Sequence, residues 1–272
     1  MNFFGMGWRI PLYKMYYFYF RTCINFREII QYERKGIPFG CYKIRSGPVI
    51  FFKDLKVAHS IFKEVWLHQH YTRQYQSRLL PQSVVDIGAN IGMFTLLAKH
   101  LWPTCAVYAY EPAPENYSQL TDNIQVSQVS DVFAHNVAVT NSSGTHALFI
   151  NENFGGHSLY ENINQVSSES RVKVEVETIT LEEVIKKVGG HIDFLKLDCE
   201  GGEWYILNGL EEQLINIDYI AMEYHIHPDK KLSQIVALFE KAGFICSVEQ
   251  PFQWGTWDLG MLYASKQQGV DT

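Results

Sequence analysis

Short apolar runs alternate with longer segments of helical periodicity from Ser83 onwards. A parallel α/β sheet produces this alternation, because each buried strand is followed by a helix that covers the sheet. We therefore predict an α/β fold with a mostly parallel sheet. The predicted strands are Val84–Ile87, Val107–Glu111, Val132–Asn136, Phe194–Asp198 and Tyr219–Glu223. The predicted helices between most of them are Pro114–Gln125, Leu181–Lys187, Glu203–Leu210 and Lys231–Ala242.

The pattern differs at the two ends of the chain. At the C-terminal end it predicts a final antiparallel pair of strands, Phe244–Val248 and Leu259–Ala264. The first 80 residues are predicted to be an N-terminal extension, followed from Pro81 by one domain, residues 81–272. Within the extension the pattern predicts a helix in Met1–Lys35, a hairpin at Cys41–Lys53 turned at Ser46–Pro48, and a helix at Ile61–Leu80.

An insertion from Val137 to Val176 separates the third and fourth predicted strands. It contains two groups of loop-forming residues, Ser142–Gly144 and Phe154–Ser158. We interpret it as a loop-rich segment beside the end of the third strand.

Residues Val84–Thr95 form the most informative local pattern. A short apolar run ends in Asp86, and Gly88 and Gly92 precede a helical stretch that continues to His100. This order predicts a strand, a tight turn and a helix N-terminus, where free N–H groups and glycine let a ligand come close. The spacing fails the G-x-G-x-x-G pattern of pyrophosphate-binding loops, and a carboxylate here suits a ligand with an ammonium group. An ordinary strand-to-helix turn is the alternative.

An acidic residue ends the next predicted strand. Glu111 lies about 20 positions beyond the glycine loop and is followed by Pro112. In nucleotide-binding α/β folds a carboxylate at this place accepts hydrogen bonds from ribose hydroxyls. Together, the loop and Glu111 favour nucleoside binding over an ordinary turn.

Carboxylates and a histidine follow the fourth and fifth predicted strands. Ligands of open α/β sheets lie beyond the carboxyl ends of the strands, so Asp198 is expected at the same cleft as the glycine loop. Glu200 and Glu203 can also be a solvated helix start, where acidic residues are favourable. His225 alternates with Glu223 and can act as a general base near a hydroxyl. A surface histidine is the alternative for His225.

Composition excludes several classes of function. The chain has 272 residues, 47% of them hydrophobic, and a net charge of −6, so nucleic acid is not an expected partner. Five scattered cysteines without a C-x-x-C pair predict neither a zinc site nor a disulfide framework, and favour a cytoplasmic location. Because no His/Cys/carboxylate cluster has ligand-like spacing, we predict turnover without a metal ion. No apolar run reaches the length of a membrane span.

The first 35 residues are rich in aromatic side chains and carry Arg9, Lys14, Arg21, Arg27, Arg34 and Lys35. We favour a helix that packs on the main domain or on a second subunit of a homo-oligomer. The alternative is a helix that lies on a membrane surface and makes the protein membrane-peripheral.

The region from about Ser83 to His227 resembles the FkbM family of S-adenosylmethionine (SAM)-dependent methyltransferases. The matching stretches are Val84–Gly92, Tyr110–Pro112, Asn136–Val139, Gly155–Leu159, Leu195–Gly201 and Glu223–His225. The resemblance implies a Rossmann-like class I methyltransferase fold with SAM as the cofactor. It also implies methylation of a hydroxyl oxygen on a small molecule or glycan, with a sugar as the favoured acceptor.

The resemblance and the motifs together assign roles to particular residues. The methionine part of SAM is assigned to the loop residues Asp86, Gly88, Asn90, Gly92 and Thr95. The ribose and adenine are assigned to Glu111, Pro112, Asn136 and Ala138, with Asp198 also at the cofactor. The acceptor is assigned to His225, Asp198 and Glu200, with His225 as the predicted base and Glu200 or Asp198 as the alternative base.

Two alternatives to a sugar O-methyltransferase stay open at this point. One is a methyltransferase that acts on nitrogen or on a lipid-linked acceptor. The other is a SAM-binding or scaffold protein without turnover. The acceptor is expected to be selected by the insertion and the N-terminal extension.

Overall fold

The computed structural model describes residues 10–77, 80–150, 172–226, 230–249, 252–254 and 257–266. In chain order the helices and strands are α1 (Leu12–Thr22), α2 (Phe26–Lys35), β1 (Cys41–Lys43), β2 (Val49–Phe51), α3 (Leu55–Phe62), β3 (Ser83–Ile87), α4 (Met93–Leu101), β4 (Ala106–Tyr110), α5 (Pro114–Ser127), β5 (Val132–His135), β6 (Ala138–Thr140), β7 (Gly144–Ile150), β8 (Val172–Thr180), α6 (Leu181–Lys187), β9 (Ile192–Leu197), α7 (Glu203–Leu207), β10 (Ile217–Ile226), α8 (Leu232–Lys241), β11 (Phe244–Val248), β12 (Phe252–Trp254) and β13 (Trp257–Lys266).

The central sheet has the strand order β11-β13-β10-β9-β3-β4-β5, with β12 paired to β13. Strands β10, β9, β3, β4 and β5 are parallel, whereas β13 is antiparallel to both β10 and β11. The predicted α/β class, the mostly parallel sheet and the antiparallel C-terminal pair are therefore confirmed. The carboxyl ends of β3, β4, β9 and β10 meet at one edge, where ligands of such sheets bind.

Two predicted helices have different bounds in the structure. The helix predicted at Glu203–Leu210 ends at Leu207, because Gly209 adopts a left-handed backbone with φ +81° just beyond it. The helix predicted at Ile61–Leu80 is wrong. The observed helix begins earlier, at Leu55, where the Asp54 side chain accepts a hydrogen bond from the Val57 N–H. It continues through a π-helical turn and ends at Leu67.

The insertion is more regular than predicted. Strands β6, β8 and β7 form a separate three-stranded sheet, with β6 parallel and β7 antiparallel to β8. The charged residues Lys173, Glu175 and Glu177 alternate along β8 with valines, which is the pattern of a strand with one solvent-facing side. The loop predicted at Phe154–Ser158 lies outside the described residues, as does the Gly155–Leu159 motif.

The N-terminal extension shares a hydrophobic core with the main sheet. The predicted hairpin is confirmed as β1 and β2. Buried Tyr19, Phe62 and Trp66 belong to the same apolar cluster as Phe94 of α4 and Phe194 of β9. None of the described helices is long and apolar enough to cross a lipid bilayer.

Candidate active site

The loop between β3 and α4 is tight because the backbone after β9 crosses it. Gly88 has φ +76°, and a Cβ at this position would lie 1.7 Å from the carbonyl oxygen of Asp198. Only glycine fits such a close approach. Asn90 is also left-handed, with φ 51°, and Gly92, with φ +90°, is the N-cap residue of α4. The predicted strand, turn and helix N-terminus are therefore present.

Asp86 is fully buried beneath a lysine that the sequence motifs did not single out. The Lys196 ammonium lies 3.2 Å from Asp86 Oδ1 and donates to the Gly88 carbonyl at 2.7 Å. Thr95 donates its hydroxyl to Asp86 Oδ2 at 2.7 Å. Burial disfavours the Lys196 charge, but Asp86 and Asp198 outweigh burial and raise the lysine pKa above its ordinary value. Asp86 and Thr95 thus brace the loop, and their direct contact with a cofactor stays a prediction.

A cleft opens beside this loop at the carboxyl ends of β3 and β4. Four residues predicted at the cofactor lie together in its lining, namely Gly88, Glu111, Pro112 and Ala138. Val139 and Leu148 of the three-stranded sheet add an apolar wall, and the loop after β9 adds Cys199 and Gly202. The cleft therefore joins the predicted nucleoside region to the loop that follows β9, in which Glu200 lies between Cys199 and Gly202.

Glu111 is held by backbone groups of both neighbouring loops. Its two carboxylate oxygens accept the N–H groups of Ala113 at 2.9 Å and Asn90 at 2.8 Å. Burial raises the pKa of Glu111 to about 7, although these hydrogen bonds oppose the rise. The Asn136 amide donates to the carbonyls of Glu111 and Pro112 at 2.9 and 3.0 Å, so Asn136 fixes this turn.

His225 lies between two glutamates at the end of β10. Its Nδ1 is 3.3 Å from Glu203 Oε1, and its Nε2 is 3.6 Å from Glu200 Oε2. Burial disfavours the imidazolium, but Glu203, Glu200 and Glu223 outweigh it and raise the pKa of His225 well above its ordinary value. The pKa of His225 therefore departs from the near-neutral value of a free histidine side chain, because three carboxylates surround the ring.

The N-terminal extension supplies two further groups that sequence reasoning missed. The Tyr71 hydroxyl lies 2.8 Å from Asp198 Oδ2 and 3.3 Å from Glu223 Oε2. Glu64, on the π-helical turn, is buried beside them, and burial together with Asp198 raises its pKa to about 8. Such turns are frequent at functional sites, but no periodicity in the sequence indicates one here.

The acidic residues around His225 could also hold a divalent cation. Ligand atoms of Asp198, Glu203 and His225 lie within 4.8 Å of one another. However, Glu203 already accepts the N–H groups of Cys199 and Gly201, and the Lys196 ammonium lies 3.5 Å from Asp198. The saturated Glu203 and the adjacent ammonium are unfavourable for a metal ion, and metal-independent turnover stays a prediction.

Comparison with known proteins identifies the family. Residues 86–246 match the family described as the Methyltransferase FkbM domain. Methyltransferase 1 of Beauveria bassiana is 32% identical over 65% of this chain and 78% of its own length. The 31-O-demethyl-FK506 methyltransferase FkbM of Streptomyces tacrolimicus is 26% identical over 84% of this chain and 97% of its own length. The hexuronic acid methyltransferase AglP of Haloferax volcanii is 25% identical over 54% of this chain and 57% of its own length. The chain therefore belongs to the FkbM family of methyltransferases.

Proposed function

We propose that this protein is a SAM-dependent O-methyltransferase whose acceptor is a hydroxyl of a sugar, a glycan or a related natural product. One observation carries the proposal. A single cleft runs from Gly88 and Glu111 to the loop Cys199–Gly202, and the acidic residues around that loop meet His225. This arrangement supports the proposal, because the residues predicted to bind the nucleoside and the predicted base are then connected through one loop.

The charges around the cleft fit a positively charged cofactor. Among the described residues of the site, seven carboxyl groups accompany two cationic side chains, those of Lys196 and His225. The carboxyl groups are those of Glu64, Asp86, Glu111, Asp198, Glu200, Glu203 and Glu223. Burial is the main reason that the pKa values of Glu64 and Glu200 rise to about 8, and neighbouring carboxylates such as Asp198 add to the rise. SAM carries a sulfonium and an ammonium group, and a cation bound beside these carboxyl groups would be stabilised by them.

The protein residues position the reactants and move one proton. When bound, SAM supplies an activated methyl group, so the protein needs no covalent intermediate. The Gly88 loop and Glu111 would hold the cofactor. Glu203 orients His225 through Nδ1 and leaves Nε2 to accept the hydroxyl proton. The pKa of His225 falls when a cation binds beside it, which frees Nε2 for this role.

The names of two relatives support a hydroxyl-bearing acceptor. One relative is named for demethylated oxygen 31 of FK506 and another for a hexuronic acid, so oxygen and sugar acceptors both occur among proteins similar to this chain. Transfer to nitrogen, transfer to a lipid-linked acceptor and SAM binding without turnover remain the competing functions.

The first prediction tests the cofactor. Calorimetric titration of the purified protein with SAM should show binding, and Glu111→Ala should weaken it about tenfold or more, because a charge-assisted hydrogen bond contributes roughly 1.5–3 kcal/mol. Glu182→Ala, an exposed glutamate on α6, is the matched control and should bind normally. Equal SAM affinity in folded Glu111→Ala protein would remove Glu111 from the cofactor site.

Turnover needs a separate measurement. Methyl transfer from labelled SAM to a panel of sugars, glycans and amines should label hydroxyl-bearing acceptors, and mass spectrometry should place the methyl group on oxygen. Label on nitrogen would establish the N-methyltransferase alternative. Tight SAM binding with no transfer to any acceptor class would support a binding protein.

A further inference from the structure

Helix α1 and the turn after it expose an unusual amount of apolar surface. Five large apolar side chains are between 49% and 69% exposed, and we call them the α1 strip: Leu12, Tyr13, Tyr17, Phe20 and Ile24. Single exposed apolar residues are normal on proteins, but a contiguous group indicates a contact surface.

The strip follows the periodicity of the helix. Tyr13, Tyr17 and Phe20 are spaced by four and three residues, so they share one side of α1. Met15 and Tyr19 lie on the opposite side and are buried in the core. The helix is therefore anchored by one apolar face and presents a second apolar face to solvent.

The segment that carries the strip is strongly basic. Residues 10–45 contain seven basic side chains and two acidic ones, Glu28 and Glu33, which gives a net charge of +5 in a chain whose total is −6. The basic residues are Lys14, Arg21, Arg27, Arg34, Lys35, Lys43 and Arg45. The rest of the chain therefore carries −11. Such asymmetry within one chain indicates an anionic partner for the basic part.

One of these cations is built into the strip. Arg45, just beyond the end of β1, donates through Nε to the Phe20 carbonyl at 3.0 Å, and its guanidinium lies 5.7 Å from the centre of the Phe20 ring. The backbone N–H of Ile24 donates to the Lys43 carbonyl at 2.7 Å. The hairpin thus places Lys43 and Arg45 beside the apolar residues, so cationic and apolar groups form one surface.

We propose that the α1 strip, together with the basic residues of segment 10–45, binds the interfacial region of an anionic lipid bilayer. Tyrosine and phenylalanine beside lysine and arginine are typical of helices that lie in the plane of a membrane surface, where rings enter the headgroup region and cations meet anionic lipids. A second copy of the chain fits less well, because a two-fold interface would bring two surfaces of +5 together.

Vesicle co-sedimentation of the full chain tests this proposal. Wild-type protein should bind phosphatidylcholine vesicles that contain phosphatidylserine, bind pure phosphatidylcholine at least about tenfold more weakly, and lose binding in high salt. Tyr13→Ser/Tyr17→Ser and Lys14→Glu/Arg21→Glu should each weaken binding about tenfold or more. All four positions are exposed, so both variants should keep the wild-type melting temperature.

Matched control variants distinguish binding through this surface from non-specific adsorption of the protein to vesicles. Ile215→Ser/Ile245→Ser removes two equally exposed apolar side chains elsewhere, and Lys173→Glu/Lys241→Glu reverses two exposed charges elsewhere. Both should bind anionic vesicles like the wild type. Failure of the wild type to bind them, or equal loss in the controls, would overturn the proposal. So would sedimentation velocity showing a dimer that the tyrosine variant dissociates, or binding only to an acidic protein.

Discussion

At the scale of single residues, the site depends on charges that are close together and poorly solvated. His225 is held by Glu203 on one side and approached by Glu200 on the other, so its proton is stabilised in the free protein. Burial raises the pKa of Glu200 to about 8, although His225 opposes the rise. Both groups therefore hold protons near neutral pH, and either must lose its proton before it can act as a base.

This arrangement predicts a rate that increases with pH. We expect kcat/KM for SAM to rise through neutral pH and to level off only above about pH 8, because this parameter reports the free enzyme, in which the base must first lose its proton. His225→Gln should lower kcat about 10²–10⁴-fold and leave SAM affinity near normal. The measurement for the pH profile is kcat/KM for SAM against pH, and the variant is compared with the wild type by kcat at saturating SAM.

Glu200→Gln then identifies the base. If His225 is the base, loss of a carboxylate 3.6 Å from Nε2 lowers the histidine pKa, so the variant stays active and its rate rises at lower pH. If Glu200 is the base, the variant loses most activity at every pH. A wild-type profile that is flat from about pH 6 to pH 8 would contradict both assignments.

At the scale of elements, the site is built where two loops touch. The loop between β3 and α4 packs against the chain leaving β9, and Gly88 is the contact point. The sequence indicated the glycine turn, but the second loop that requires it lies 110 residues further along the chain, at Asp198. Local patterns also predicted most strands correctly, whereas the π-helical turn at Lys63–Leu67 and the strands of the insertion were missed.

The loop contact predicts unequal effects of two glycine substitutions. Gly190 has φ +93°, and a Cβ added there would meet no atom within 4 Å, so Gly190→Ala should cost about 1–2 kcal/mol for the left-handed backbone alone. Gly88→Ala should lower the free energy of unfolding by about 1–3 kcal/mol more than Gly190→Ala does, since the Asp198 carbonyl must move. Thermal unfolding of both variants measures the difference, and SAM affinity should fall only for Gly88→Ala. Equal losses of stability in the two variants would mean that the loop between β3 and α4 can move away from the loop after β9 without a loss of free energy of unfolding.

At the scale of the whole molecule, the extension and the sheet form one apolar cluster. Tyr75 contacts Phe194 and Tyr219 with ring centres 5.2 and 5.0 Å apart, and the Trp66 indole donates to the Met93 carbonyl at 3.2 Å. Tyr71 links the extension to Asp198 and Glu223. The division into 1–80 and 81–272 stays a prediction, and these contacts favour one cooperative unit.

Removal of the extension should therefore prevent normal folding. A chain that begins at Pro81 would expose the aromatic residues of α4, β9 and β10, and it should show no sharp unfolding transition by calorimetry and little near-ultraviolet circular dichroism. The full chain under the same conditions is the reference. A truncated chain that unfolds cooperatively at the temperature of the full chain would show that residues 81–272 fold independently.

The sequence by itself determined the alternating strands and helices, the glycine turn after β3, and the acidic positions at the ends of β4 and β9. These features follow from periodicity and turn chemistry, which depend on neighbouring residues. Only the tertiary structure brought Glu64 and Tyr71 to Asp198 and Glu223, placed Lys196 beside Asp86, and surrounded His225 with carboxylates. Most of these contacts join side chains far apart in the chain, and burial of several charges together shifts their pKa values in ways that no local pattern records.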